Sequence, residues 1–302
     1  MRHLITGLSG FVGPHLASLL HKRGEKAAGL DLRSIPPVDL LDPDAVRAWL
    51  RDFEPHRIYH LAGQSQVGRS WRDPEGTFRV NVGGTLNLLR AVAEIVPRAR
   101  VLLVSTSEVY GRPGRGGKLL CEEDPLEPQN PYALSKMVAE EMAGLTAREM
   151  DLELIRVRPA GHIGPGQALG FVAADFASQV VRIERGDQEP KIQVGNLEAR
   201  REFMDVRDVV RAYADLMERG RPGEVYNLAT GWVLCVRELL ETMLDVAGVK
   251  AEILTDPARF RPQDDQALVL DASRLRQAIG WKAEIPLRQS LLDILHEWRT
   301  KT

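Results

Sequence analysis

Cysteine is nearly absent from these 302 residues, with only Cys121 and Cys235 present. Two cysteines cannot build a disulfide framework, and neither sits in a metal-ligand spacing. No metal is therefore expected, and a cytoplasmic location is the simple expectation. Net charge is scarce too: the formal value is −2 with the signs interspersed, which offers no basic face for nucleic acid. No apolar run approaches the roughly 20 residues of a membrane span, and no signal-peptide pattern is recognised, so neither membrane nor nucleic acid is an expected partner. Internal repeats and low-complexity linkers are missing. The last shortage is lysine, which occurs only at positions 22, 26, 118, 136, 191, 250, 282 and 301 among 40 basic side chains. The chain is long enough for a sizeable core and two subdomains.

That shortage makes Lys136 informative. It closes the string Pro131-Tyr132-Ala133-Leu134-Ser135-Lys136. Residues four apart share a helix face, so Tyr132 and Lys136 can act on one bound molecule. A free phenol titrates near pH ~10. A nearby cation favours the phenolate, which makes proton exchange with an alcohol or ketone practical near neutrality. Read blandly, the same string is an exposed helix start with a solvated lysine, and the spacing alone does not decide.

The amino terminus adds a cofactor signal. Met1 to Ile5 reads as an apolar strand, followed by Thr6-Gly7-Leu8-Ser9-Gly10-Phe11-Val12-Gly13 and an amphipathic helix through Leu16, Leu19 and Leu20 to Gly24. Glycines at 7, 10 and 13 permit a sharp turn and let a pyrophosphate approach the helix N-terminus, where free amides favour negative charge. Gly7, Gly10, Phe11, Val12 and Gly13 are thus candidate cofactor contacts. A second strand, Lys26–Leu30, ends at Asp31. A carboxylate about twenty residues after the glycines commonly binds the adenosine ribose hydroxyls, which favours NAD. Arg33 could instead bind a 2′-phosphate, so NADP stays open; a solvated loop charge is its plain alternative.

Further apolar runs at Arg57–Leu61, Arg100–Val104 and Leu152–Val157 follow helical stretches. This alternation predicts an α/β fold with a doubly wound, Rossmann-type parallel sheet. The pattern turns irregular after Gly164-Pro165-Gly166, with a helix over Ala173–Arg185 and a strand near Lys191–Val194. Asp205 is a plausible N-cap for a helix to Glu218, and Val225–Leu228 reads as a strand returning to the sheet. The tail from Val236 to Arg299 reads as mostly helical, with one strand near Ala267–Leu270. The expected division is a dinucleotide-binding domain over 1–165, rejoined by 204–232, and a smaller mixed α/β substrate subdomain over 166–203 and 233–302.

Thr6-Gly7 through Gly13, His60-Leu61-Ala62-Gly63, Asn81-Val82-Gly83-Gly84-Thr85, Ser105 through Gly111, and Tyr132 with Lys136 resemble the extended short-chain dehydrogenase/reductase superfamily over essentially the whole chain. Within it, His162-Ile163-Gly164-Pro165-Gly166-Gln167 and Val194 through Phe203 are similar to the GDP-4-dehydro-6-deoxy-D-mannose reductases, which form GDP-D-rhamnose. The resemblance implies an NAD(P)-dependent nucleotide-sugar oxidoreductase acting on a GDP-sugar. The reduced nicotinamide gives hydride to the C4 ketone and Tyr132 gives the proton. Lys136 holds the nicotinamide ribose and lowers the Tyr132 pKa, while Thr106 hydrogen-bonds the same substrate oxygen. It also implies that Leu61, Ala62, Gly63, Asn81, Ser105 and His162 line the cofactor, with Asp39 and Leu40 at its adenine end. Asn81 could equally tie the sheet together, Asp39 cap a helix, and Thr106 cap the next turn.

Substrate contacts then fall on Ser65, Ser107, Glu108 and Val172, and on Arg201 and Arg261, whose guanidinium forks suit a diphosphate. Surface ion pairs are the plain alternative for both arginines. Glu108 is carried as catalytic as well, because a glutamate here takes the C5 proton in the 4,6-dehydratases. The family commonly pairs two helices of the dinucleotide domain, which implies a homodimer or dimer of dimers. Two departures stand out: Ala160-Gly161 replaces an aromatic–asparagine pair, and Pro262-Gln263-Asp264-Asp265 replaces Pro-Ser-Glu-Val. The alternatives are a GDP-mannose 4,6-dehydratase or nucleotide-sugar epimerase, and a non-catalytic NAD(P)-sensing protein.

Overall fold

The computed structural model describes residues 1–33, 37–111, 118–257, 260 and 268–301. The chain opens with β1 (Arg2–Thr6), α1 (Val12–Lys22), β2 (Lys26–Leu30), α2 (Pro43–Phe53) and β3 (Arg57–His60). Two short helices, α3 (Val67–Arg72) and α4 (Pro74–Phe78), lead through a π turn at Arg79–Gly83 into α5 (Gly84–Ile95) and β4 (Arg100–Val104). A 3-10 turn at Ser107–Val109 and β5 (Leu119–Leu120) precede α6 (Pro131–Glu149), β6 (Leu154–Pro159) and β7 (His162–Ile163). Then come α7 (Val172–Arg185), β8 (Lys191–Val194), β9 (Arg200–Glu202), β10 (Met204–Asp205), α8 (Val206–Arg219) and β11 (Val225–Leu228). The chain closes with β12 (Val233–Cys235), α9 (Val236–Ala247), β13 (Glu252–Thr255), β14 (Val269–Leu270), α10 (Ser273–Ile279) and α11 (Leu287–Thr300).

Six strands form one sheet in the order β11-β6-β4-β3-β1-β2, every pair parallel. Successive side chains on a strand point to opposite faces, and here both faces are covered. Leu4, Ile58, Val101, Leu103 and Leu154 join a core with Val46 and Leu50 of α2, Leu88 and Val92 of α5, and Ala143 of α6. Their neighbours Ile5, Tyr59, Leu102 and Ile155 join the opposite core with Leu16 and Leu20 of α1, Val209 and Leu216 of α8, and Leu275 and Ile279 of α10. This is the expected doubly wound sheet. Its strand order reverses between β1 and β3, so a crevice opens there beyond the carboxyl ends of the strands.

A third core joins Phe176 and Val180 of α7, Leu239 and Leu240 of α9, and Leu291 and Leu295 of α11 around β8. The tail departs from expectation in two ways. Besides β14, it contains β13, parallel to β8, and just ahead of the tail β12 pairs antiparallel with β9. Strands this short take their register from distant partners rather than from their own pattern. In addition, α10 belongs to the large-sheet core although it lies within 233–302.

Candidate active site

The loops at the carboxyl edge of the sheet converge on α6. Asn130 is the N-cap of that helix, its side chain accepting from the Ala133 amide at 2.8 Å, and Pro131 takes the first helical position. The cap sets the start of α6 and so aims Tyr132 and, one turn on, Lys136. The Thr106 hydroxyl hydrogen-bonds the Tyr132 phenol. The Asn130 amide group donates to a Glu108 carboxylate oxygen at 2.8 Å. One asparagine thus caps the helix carrying the phenol and fixes the carboxylate beside it.

The electrostatics correct one expectation. Burial, reinforced by the Glu108 carboxylate, raises the Tyr132 pKa above its ordinary value, and the hydrogen bond from Thr106 only partly opposes this. Lys136 does not lower it here. Burial pushes Lys136 itself down to about 8, against an opposing pull from Glu140. A neutral phenol at neutral pH is the form needed to donate a proton.

Asn81, on the π turn, does tie segments together. It accepts from the Gln64 amide at 2.8 Å and donates to the Gln64 carbonyl at 3.1 Å and to the Ser135 hydroxyl at 2.8 Å. A Cβ on Gly63 would lie 2.9 Å from Asn81 Oδ1 and 3.9 Å from Lys136 Nζ. Gly63, Asn81 and Lys136 therefore share one small space. His60 is held between the hydroxyls of Thr6 at 2.8 Å and Thr85 at 2.9 Å, and burial pushes its pKa down to about 3.

The glycine loop lies next to this space. Gly7 has φ +72°, and a Cβ there would stand 3.0 Å from the Ala62 backbone. A Cβ on Gly13 would stand 2.3 Å from the Leu8 carbonyl oxygen. Among the described residues, no side chain caps the N-terminus of α1. The Ser105 hydroxyl is buried without a hydrogen-bond partner among the described residues. An uncapped helix start, a cradle that excludes side chains and an orphaned hydroxyl together fit a dinucleotide. Asp31 accepts from the Ser9 amide at 2.8 Å and the Arg33 amide at 2.7 Å, so it fastens the glycine loop to the end of β2.

Phe11 stacks on His162 with centroids 5.9 Å apart, and His15 bonds the Pro165 carbonyl at 2.8 Å, joining α1 to the segment after β6. The His162 Nδ1 bonds the Ala160 carbonyl at 3.1 Å, and burial lowers its pKa. Leu40 is buried, and a Cβ on Gly84 would lie 3.2 Å from its own Cβ. Asp39 caps a turn, accepting from the Leu41 amide at 2.9 Å, but the N-cap of α2 is Asp42. Leu61 is half-buried against the α1 core, Ser107 is buried, and Val12 opens α1.

Ser65 lies exposed in the loop between β3 and α3, and a Cβ on Gly170, two residues before Val172, would lie 3.7 Å from Gln66 Nε2. The segments carrying Ser65 and Val172 thus meet at the mouth of the site. Arg201 lies on β9, its Nη1 donating to the Arg200 carbonyl at 2.7 Å. Arg261 falls outside the described residues. Asn130 is not among the expected site residues, although an asparagine before Pro131 is a recognisable N-cap signal.

The family described as GDP-mannose 4,6 dehydratase matches residues 34–294. The chain belongs to this family, within the extended short-chain dehydrogenases/reductases. It is similar to GDP-6-deoxy-D-mannose reductase of Pseudomonas aeruginosa, at 38% identity over 99% of this chain and 98% of that one. GDP-mannose 4,6-dehydratase of Sinorhizobium fredii is 28% identical over 97% of this chain and 95% of its own. The fold also matches the structure of RMD from Pseudomonas aeruginosa complexed with NADPH, with TM-score 0.90, 38% identity, and coverage of 100% of this chain and 99% of that chain.

Proposed function

We propose that this protein reduces the C4 ketone of GDP-4-dehydro-6-deoxy-D-mannose to GDP-D-rhamnose with NAD(P)H. The observation that carries this reading is the full-length similarity to a GDP-6-deoxy-D-mannose reductase, at 38% identity. The more distant dehydratase, at 28%, argues for the reductase over the elimination reaction.

When bound, the reduced nicotinamide supplies the hydride that reaches C4. Gly7, Gly10 and Gly13 admit the pyrophosphate, Phe11, Val12, Leu61, Ala62, Gly63 and His162 line the groove, and Asp39 and Leu40 meet the adenine. Asp31 selects for ribose hydroxyls and Arg33 for a 2′-phosphate. Ser105 offers its unpartnered hydroxyl, and Asn81 and Lys136 meet the ribose beside it. Thr106 orients the substrate oxygen while Tyr132, neutral and raised in pKa, delivers its proton there. Solvent then restores the proton to the Tyr132 phenolate. Ser65, Ser107, Glu108 and Val172 border the sugar; Arg201 and Arg261 grip the diphosphate.

Glu108 supports a second reading, the 4,6-dehydratase, because its carboxylate acts on Tyr132 and is fixed by Asn130. Nicotinamide absorbance separates the two. GDP-4-dehydro-6-deoxy-D-mannose should oxidise NADPH or NADH stoichiometrically, and comparing the two names the cofactor. No oxidation, together with conversion of GDP-mannose to a keto sugar, would transfer the assignment to the dehydratase. Leu134, Met142 and Leu145 lie exposed along α6, which supports pairing of two copies through that helix. The unpaired Cys121 and Cys235 support a cytoplasmic location. Among the described residues, no helix is long and apolar enough to cross a membrane.

A further inference from the structure

Behind the candidate site lie two buried charges that the chemistry above does not use. Glu140, one turn past Lys136 on the same face of α6, is 0% exposed, and Arg158 on β6 is 3% exposed. A hydrophobic pair of similar volume would often serve packing as well or better, since desolvating two charges is costly. Arg158 nevertheless grips Glu140 through two of its three nitrogens: Nη2 donates to Oε1 at 2.7 Å, and Nε to Oε1 at 3.0 Å and Oε2 at 3.2 Å.

The remaining arm of Arg158 reaches the other reacting segment. Its Nη1 donates to the Tyr110 hydroxyl at 2.9 Å and the Glu122 carbonyl at 3.0 Å, and the guanidinium lies 5.0 Å from the Tyr110 ring centre. The Tyr110 hydroxyl donates to Asn227 Oδ1 at 2.7 Å, and Asn227 Nδ2 donates to the Leu120 carbonyl at 3.1 Å. Tyr110 closes the 3-10 turn that follows Thr106 and carries Glu108, its amide donating to the Ser107 carbonyl at 3.2 Å.

We propose that Glu140 and Arg158 form a positioning pair for the reaction, Glu140 holding Lys136 in its charged form and Arg158 locking the Thr106–Tyr110 segment to α6. This rests on the roles given above to Tyr132 and Lys136. The charge balance around Lys136 favours it. From β3, His60 is neutral, with its pKa pushed down to about 3. The π turn contributes the uncharged Asn81, and α6 itself contributes Tyr132, whose raised pKa keeps it neutral. From β6 come Arg158, charged and paired with Glu140, and the half-buried Arg156, which also feels Glu140. Burial drives Lys136 toward neutrality, and Glu140 is the charge that opposes it.

The test reads Lys136 directly. With only eight lysines in the chain, side-chain ¹³Cε labelling and a Lys136→Arg control assign its resonance in the purified protein. The wild-type titration should centre at about 8. In Glu140→Gln the midpoint should fall by about one pH unit, and the basic limb of the turnover profile should move with it. Glu140→Gln leaves Arg158 without its partner, so Glu140→Gln/Arg158→Met removes both charges together. That variant should melt close to wild type yet keep the lowered Lys136 midpoint. An unchanged midpoint in either variant overturns the proposal. So does a double variant that fails to fold, since the pair would then be a requirement of the fold. The titration is readable even in a protein inert toward the GDP-sugar, so failure of the reductase assignment shows separately.

Discussion

A histidine, a tyrosine and a carboxylate gather toward each end of the large sheet, with different results. At the amino end, His3 on β1 pairs with Glu25 and stacks on Tyr59 of β3, centroids 5.9 Å apart. The Tyr59 hydroxyl and His3 Nδ1 have no hydrogen-bond partner among the described residues. Burial pushes His3 down to about 4 and Tyr59 above its ordinary value. At the carboxyl end, His60, Tyr132 and Glu108 are each held by another segment: His60 by Thr6 and Thr85, Tyr132 by Thr106, Glu108 by Asn130. Perturbed titration is therefore common to both ends and does not by itself mark a site. What distinguishes the second is its place where the strand order reverses and the loops diverge, leaving room for a ligand among fixed polar groups.

The sharpest way to break this contrast is to remove one phenol or imidazole from each end. Tyr132→Phe should cut turnover by about 10²–10⁴-fold with NAD(P)H affinity unchanged in a fluorescence titration. His3→Gln should leave turnover alone. Equal losses would mean that the amino-end cluster matters to the chemistry. Gly13→Ala comes next, because its Cβ would press 2.3 Å from the Leu8 carbonyl oxygen. It should cost about 1–3 kcal/mol in urea unfolding and weaken NADPH binding.

Acid should reveal what the two ends share. His3 and His60 both titrate well below an ordinary histidine in the fold, at about 4 and about 3. Below pH ~6.5 the unfolded chain takes up protons that the native state refuses, so stability falls as the pH drops from there toward 4. Thermal melts at pH 7 and 5.5 should differ by roughly 1 kcal/mol or more per histidine, and His3→Gln should remove its share. A pH-independent melting temperature would contradict the burial of both rings. The smallest effect separates a functional cap from an ordinary one. Asn130→Ala and Asp42→Ala should each cost about 1 kcal/mol in stability. Only Asn130→Ala should also lower turnover, because it releases Glu108.

Much of this is legible in the chain itself. The glycine spacing, Asp31, and Tyr132 with Lys136 are local patterns whose physics acts within one loop or one helical turn. Alternating apolar runs likewise announce a parallel sheet covered on both faces, since each strand must be hydrophobic on both sides. The helical tail hides β13, and β12 just before it is equally hard to see, because strands of three or four residues are defined by partners remote in sequence. The helix cap at Asp42 rather than Asp39 turns on which backbone amides each carboxylate reaches.

The fold class, the glycine loop and the candidate pair Tyr132 and Lys136 are readable along the chain, because each rests on periodicity or spacing over a few residues. The state of that pair is set by packing. The spacing of Tyr132 and Lys136 suggests a phenol eased toward its phenolate, yet burial and Glu108 raise its pKa, while Lys136 answers to Glu140. Desolvation and through-space charge depend on what packs around a group, and those neighbours arrive from β3, β4, β6 and the π turn, far away along the chain.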